Sequence, residues 1–343
     1  MPPGPAPKLK TGVFGASGFA GAELLRLASG HPNLEVVMAT ADSRAGGKVA
    51  DLYPSLAASF PQLVLGNADP AAADGLDIVF LALPHGASQD LMPDLRKRVG
   101  LVVDLAADFR LRDGALYPRW YGEEHKHPEL LSEAVFGIPE LFGDELPGAT
   151  LIAVAGCYVT AAALALAPLV RAGVIESSGI IVDAASGVSG AGRSLKATTH
   201  FNAVDEDFTA YGLLNHRHTP EIEQATGASI LFTPHLAPMN RGILATCYAR
   251  PATTDVDPLS TLASYYASSP FVVVSERSPS TKATLGSNAA HLTARNDART
   301  GWIVALSAID NLTKGAAGQA IQCANLALGL PETAGLPVAG LYP

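Results

Sequence analysis

The sequence predicts an α/β fold in two parts: a doubly wound, parallel-sheet nucleotide-binding domain and an α+β domain built on a mixed sheet. Three observations carry this. Short, almost continuously apolar strands alternate with helices through the first third of the chain. A glycine-spaced turn, "GASGFAG", joins the first strand to the first helix. In the second half, strand-like runs crowd together with few helices between them.

The first strand is expected from Thr11 to Phe14, followed by the turn and an amphipathic helix ending near Gly30. A second strand, Leu34 to Ala39, completes a βαβ unit. "DIVFLALP" (Asp77 to Pro84), a helical run through Arg98 and "LVVDLA" (Leu101 to Ala106) continue the alternation. Strands without polar alternation fit a parallel sheet covered by helices on both faces. "LIAVAGCYVTAAALALAPLV" reads as another apolar strand, then a helix broken near Pro168, which cannot donate a helical hydrogen bond.

Beyond it, strands are expected at Ile180 to Ala185, Ser229 to Thr233, Gly242 to Arg250, Phe271 to Val274, Ala289 to Arg295 and Trp302 to Ile309. Helices are expected around Asp257 to Ala267 and after Thr219. The last helix, from near Thr313, is expected to return to the first domain. The division is therefore 1–156 with the closing segment 313–343, and 157–312 as the catalytic and oligomerisation domain.

Composition excludes several function classes. The 343 residues are 48% hydrophobic and 16% charged, enough to bury two cores. Net charge is −9 and the basic residues are scattered, which argues against nucleic acid or an anionic membrane as partner. Three cysteines without a CxxC pair fit a reducing compartment, so the expected location is cytoplasmic. The start, "MPPGPAPKLK", lacks a signal-peptide core and is expected to fray. The apolar stretch after Cys157 is too short to span a bilayer.

Gly15, Gly18 and Gly21 are spaced GxxGxxG, with Ser17 in place of the middle glycine of the usual dinucleotide fingerprint. Between a strand and a helix, that spacing allows a tight turn and close approach of a pyrophosphate to the helix N-terminus. Glycines that merely let helix and sheet pack closely are the plainer alternative. A Rossmann-type cofactor site would then use Gly15, Ser17, Gly18, Phe19 and Gly21. Asp42 suits the ribose hydroxyls of NAD, whereas Ser43 and Arg44 suit a 2′-phosphate, and the reading leans to NADP(H).

Cys157 follows Gly156 where a strand gives way to a helix, a setting that favours thiolate over thiol. Cys247 and Cys323 have no such setting and read as structural. A thiolate nucleophile needs an imidazole, and "LNHRHTPEIEQ" supplies His216, Arg217 and His218. Thr219 is expected to cap the following helix with Pro220 at its first position. Metal binding by the two histidines would need a third ligand that the spacing does not supply. His125 and His127 lie among charged residues and read as a solvated loop. Anion-holding candidates are Arg110, the Ser189-Gly190-Arg193 loop with Lys196, and Arg241; together they suggest an anionic substrate.

Taken in order, "GASGFAGAELLRL", "LALPHG", "DLAADFRL", "AGCYVTAAALAL", "SGVSGAGR", "NHRHTPEIEQ", "HLAPMNRGIL" and "DNLTKGAAGQAIQ" make the chain resemble the N-acetyl-gamma-glutamyl-phosphate reductases of the semialdehyde dehydrogenase superfamily. The chain departs from the family pattern at Ala155, Val159 and Ala161, around but not at the cysteine. The resemblance implies reduction of an acyl phosphate by NADPH through a Cys157 thioester, in arginine biosynthesis. It further implies His218 as acid/base partner, with His216 the lesser candidate. Pro84, Gly86 and Asn311 would touch the cofactor, and Arg110, Ser189, Gly190, Arg193 and Arg217 the substrate. The implied assembly is a homodimer or homotetramer. Alternatives are an aspartate-semialdehyde dehydrogenase, a glyceraldehyde-phosphate-type dehydrogenase and a redox-sensing NADP-binding regulator; the last leaves Cys157 and both histidines without a role.

Overall fold

The computed structural model describes residues 8–254 and 257–342; the segment through residue 7, expected to fray, lies outside the described residues. The chain divides into two compact units.

One unit comprises Met1–Arg112, His125–Val154 and Ala317–Leu336. Its strands are β1 (Leu9–Phe14), β2 (Leu34–Thr40), β3 (Leu65–Gly66), β4 (Ile78–Leu81), β5 (Leu101–Asp104), β6 (Val135–Gly137) and β7 (Leu151–Val154). They form one sheet in the order β3-β2-β1-β4-β5-β7-β6, parallel throughout. Every residue of β4, β5 and β7 is buried, as continuous apolarity requires. The strand order reverses between β1 and β4, which opens a crevice at the carboxyl ends of those two strands.

The Gly318–Ala327 helix packs in this unit, on the Phe19–Ser29 helix and on β5, β6 and β7. Buried His31 reinforces that packing. Its Nδ1 accepts the Asn33 amide at 3.1 Å, so Nε2 donates to Asn325 Oδ1 at 3.0 Å.

The second unit comprises Asp113–Glu124, Ala155–Ala316 and Pro337–Pro343. Its strands are β8 (Ile180–Gly187), β9 (Thr209–Ala210), β10 (Ile230–Ala237), β11 (Ile243–Ala249), β12 (Val272–Val274), β13 (Ala290–Asp297) and β14 (Trp302–Ile309). Their order is β12-β13-β14-β11-β8-β10-β9. β8–β10 and β12–β13 are parallel and the other pairs antiparallel, so the sheet is mixed. The Cys157–Arg171 helix packs on β11 and β14 and against the His218–Thr226 and Pro258–Tyr265 helices. From Tyr158 to Leu169 it is buried all round, which explains its Ala- and Leu-rich composition.

Three local expectations are corrected. The helix does not break at Pro168 but continues to Arg171. Pro168 leaves the Leu164 carbonyl without its helical donor, and the Tyr266 hydroxyl donates to that carbonyl at 2.7 Å instead. Thr219 is not a cap: the next helix begins at His218, whose amide donates to His216 Nδ1 at 3.2 Å. His125 is not solvated but 8% exposed, with Nε2 2.7 Å from the Asp108 carbonyl and its ring edge-on to Phe109. His127 remains partly exposed and pairs with Glu129 at 3.3 Å.

Candidate active site

In the first unit, Gly15 has φ +78, and a β-carbon there would strike the Ala82 carbonyl. A β-carbon on Gly21 would strike the Gly15 carbonyl. The β1–helix turn therefore packs tightly against the chain leaving β4, and only glycine fits at these two points. Gly18 caps the Phe19–Ser29 helix with extended backbone and no side chain, leaving amides open to a ligand. The Ser17 carbonyl accepts the Tyr53 hydroxyl at 2.7 Å. Asp42, Ser43 and Arg44 are exposed on the loop after β2, and Arg44 makes no ion pair among the described residues. A glycine cradle with bare helix amides fits a dinucleotide.

Pro84 and Gly86 lie in the turn after β4, where Gly86 has φ +90. Arg110 belongs to this unit, 8% exposed, with Nη2 donating to the Leu105 carbonyl at 2.6 Å.

In the second unit, Cys157 is the first residue of its helix, after Gly156 at φ −64 and ψ 153. The residue is partly exposed, whereas Cys247 and Cys323 are buried at 1% and 0%. Burial also pushes the Cys247 thiol up, away from thiolate chemistry. Gly156 is a point of close approach: a β-carbon there would fall on the His218 ring, at Nε2. The imidazole thus lies against the residue preceding the cysteine. On another side, Gly315 lies in a single π-turn, Thr313–Ala317, and a β-carbon there would come within 2.7 Å of Cys157 Cβ.

The two imidazoles differ in environment. Their centroids are 4.8 Å apart, and both rings meet Tyr158 edge-on, at 5.7 Å for His216 and 5.9 Å for His218. His216 also packs on Tyr211 and Phe232. Burial, then the neighbouring His218, pushes His216 down to about 3, so it is neutral at any working pH. Its Nδ1 is occupied by the His218 amide. Tyr158 donates to the His235 carbonyl at 2.8 Å and receives the Tyr211 hydroxyl at 3.3 Å. Desolvation raises both phenols, Tyr211 to about 12, so neither supplies a phenolate.

A cavity of about 650 Å³ opens beside these groups, lined among others by Cys157, Tyr211, His218, Lys196, Arg217 and Asp207. Gly190 also lines it. Ser189 and Arg193 do not, and Ser189 is buried, its Oγ accepting from Asn311 Nδ2 at 3.0 Å. The Asn311 Oδ1 accepts the Gly242 amide at 2.7 Å. Arg241, expected to hold an anion, pairs with buried Asp310 at 3.3 Å. Among the described residues no group of three or more His, Cys, Asp or Glu is placed to hold a metal.

Comparison with known proteins agrees with this arrangement. Residues 10–149 match the semialdehyde dehydrogenase NAD binding domain, and 157–311 the semialdehyde dehydrogenase dimerisation domain. The N-acetyl-gamma-glutamyl-phosphate reductase of Symbiobacterium thermophilum is 47% identical, over 98% of this chain and 99% of that one. The enzyme of the same name from Salinispora tropica is 49% identical, over 98% and 99%. The chain belongs to the N-acetyl-gamma-glutamyl-phosphate reductase family.

A member of that oxidoreductase family, it has a nicotinamide-nucleotide binding domain and a mixed-sheet domain. The same fold appears in aspartate semialdehyde dehydrogenase II of Vibrio cholerae, solved with ASA. That likeness has TM-score 0.70 and 16% identity, over 94% of this chain and 98% of that one. The Candida albicans aspartate semialdehyde dehydrogenase, solved with NADP, has TM-score 0.66 and 15% identity, over 93% and 98%. No described helix is long and apolar enough to cross a membrane.

Within this reductase fold one residue escaped the sequence reading. Glu221, 0% exposed, accepts the Gly156 amide on Oε2 at 3.1 Å and the Tyr121 hydroxyl on Oε1 at 3.3 Å. Its spacing three residues after His218, on one face of a short helix, was the available signal.

Proposed function

We propose that the chain reduces N-acetyl-glutamyl 5-phosphate to N-acetyl-glutamate 5-semialdehyde with NADPH, releasing phosphate, as a step of arginine biosynthesis. The observation that carries this reading is the packing of the His218 imidazole against Gly156, beside a partly exposed Cys157 at a helix N-terminus. The sequence identity to enzymes of that name supplies the substrate.

In this mechanism Nε2 of His218 takes the Cys157 proton. The thiolate attacks the acyl carbon, the carbon–oxygen bond to phosphate breaks, and the returning proton neutralises the departing oxygen. The Cys157 amide faces the developing oxyanion from the helix N-terminus. When bound, the reduced nicotinamide supplies the hydride that converts the thioester to the aldehyde level. Collapse then breaks the carbon–sulfur bond and frees the thiolate. Neutral His216 shapes the apolar wall and fixes the His218 backbone. Arg217 and Lys196 give the cavity positive charge for a substrate anionic at both ends, with Gly190 beside them; Arg193 adds charge from the same loop, and Ser189 and Arg110 act through the loops they hold.

The cofactor is held by Gly15, Ser17, Gly18, Phe19, Gly21, Pro84 and Gly86. Exposed Arg44, which makes no ion pair among the described residues, favours with Ser43 the 2′-phosphate of NADP(H) over NAD. In this reading residues 1–156 and 313–343 serve the cofactor, and 157–312 serve catalysis and assembly into a homodimer or homotetramer in the cytoplasm.

The test is the reverse reaction: NADP reduction with N-acetylglutamate semialdehyde and phosphate. Phosphate-dependent turnover, lost in Cys157→Ser, is expected. Turnover with aspartate semialdehyde alone would move the chain to that substrate, and activity retained in the variant would remove the nucleophile.

A further inference from the structure

The turn after β4 carries side-chain contacts that neither the glycine loop nor the thioester chemistry explains. Gly86 precedes the Ala87–Arg98 helix and, having no side chain, cannot cap it. The capping acceptor comes instead from Asp108, beyond the end of β5 and 22 residues away. Its carboxylate accepts the Gly86 amide at 2.8 Å on Oδ1 and 3.0 Å on Oδ2, and the Ser88 amide at 3.0 Å. The His85 Nδ1 lies 2.5 Å from Oδ1, so three groups around the turn, the His85 ring and the Gly86 and Ser88 amides, converge on one carboxylate.

Asp108 is fully buried. Burial alone would raise its carboxyl, but the His85 ring and the two amides outweigh that and hold it below the ordinary value. The anion is therefore the form that organises the turn. The turn matters because of what it abuts: Gly15, in the glycine loop, has no room for a β-carbon against the Ala82 carbonyl just upstream. The 82–88 segment is thus one wall of the β1/β4 crevice, the switch point where dinucleotides bind in doubly wound sheets.

We infer that Asp108 is a positioning residue for the nicotinamide cofactor, fixing the Pro84–Ser88 turn in the shape that the dinucleotide meets. The inference rests on the cofactor reading above. Asp108→Asn keeps one acceptor oxygen for the Gly86 N–H but removes the charge and puts an amide donor in place of the other oxygen, which loosens the turn.

The experiment measures NADPH binding to the full-length protein by nucleotide fluorescence, alongside steady-state kinetics and thermal melting. The expected result for Asp108→Asn is a rise of about tenfold or more in Kd and KM for NADPH, with kcat and KM for the second substrate within about threefold. Asp108→Glu, which keeps the charge and carries the test if the amide variant does not fold, is expected to recover part of the affinity. Unchanged NADPH affinity in a variant with a lowered melting temperature would make Asp108 merely structural and overturn the inference. Failure of the unmodified protein to bind NADPH would instead overturn the cofactor reading beneath it.

Discussion

Glu221 accepts the backbone N–H of Gly156, the residue before the cysteine, at 3.1 Å. The carboxylate lies in the first turn of the helix that begins at His218, and its other oxygen takes the Tyr121 hydroxyl at 3.3 Å. One buried group thus ties the entrance of the Cys157 helix to the helix carrying the imidazole. Glu221→Leu removes both acceptor oxygens and leaves the buried Gly156 N–H without this partner. The expected effect is a fall in kcat of about 10–100-fold, with KM changed far less. Steady-state kinetics on a variant with a native circular dichroism spectrum checks it, and an unchanged kcat would remove Glu221 from the positioning of the pair.

The two histidines separate by pH. His216, buried and held near 3, carries no charge change across the working range. An acid limb in the pH–rate profile therefore does not come from His216, and the imidazole against Gly156 is that of His218. His216→Gln is expected to keep the limb at the same pH while lowering the plateau. His218→Gln is expected to lose about 10²–10⁴-fold in rate. A limb that vanished only in the His216 variant would reverse the assignment.

Asp104, at the end of β5, gives a stability prediction of its own. Its Oδ1 accepts the Ser88 hydroxyl and the Ala106 amide, both at 2.9 Å. Complete burial, then the charge of Asp108, pushes its carboxyl up from 3.8 to about 8. In the unfolded chain the same group ionises near its ordinary value. The folded state therefore holds an extra proton across that window, and stability falls as pH rises from about 4 to about 8. Asp104→Asn mimics the protonated form without titrating. Relative to the parent it should gain on the order of 1–3 kcal/mol on going from pH 5 to pH 8, measured by denaturant unfolding. Parallel curves for the two proteins would show that Asp104 does not titrate in that range.

Much of this was legible because its signal is local. Continuous apolarity marked β4, β5 and β7, and strand-like runs crowded together with few helices between them marked the second sheet. The cysteine stood out because a strand, a glycine and a helix meet around it within a few residues. β3 and β9 did not stand out, since two residues cannot display a period of two. Glu221 and Gly156 are 65 residues apart, so their hydrogen bond left no trace in either segment alone. His125 was misread for a similar reason: its neighbours in sequence are charged, while the carbonyl and ring that bury it belong to Asp108 and Phe109.

Tyr266 and Leu164 are 102 residues apart, and their hydrogen bond is what makes Pro168 tolerable in the Cys157–Arg171 helix. Proline at that position removes the donor that Leu164 would otherwise receive, and its ring crowds the same carbonyl. With Leu164 at 0% exposure and Tyr266 at 3%, water has little access to replace it. Tyr266→Phe leaves a buried carbonyl without a donor and should cost about 1–3 kcal/mol. Pro168→Ala restores the helical N–H, so the same Tyr266→Phe change made in that background should cost distinctly less. Chemical denaturation of the two single variants and the double variant measures the coupling directly. Strict additivity would mean that the Tyr266 hydroxyl does not stand in for the missing amide, and the helix would then owe its continuity past Pro168 to side-chain packing alone.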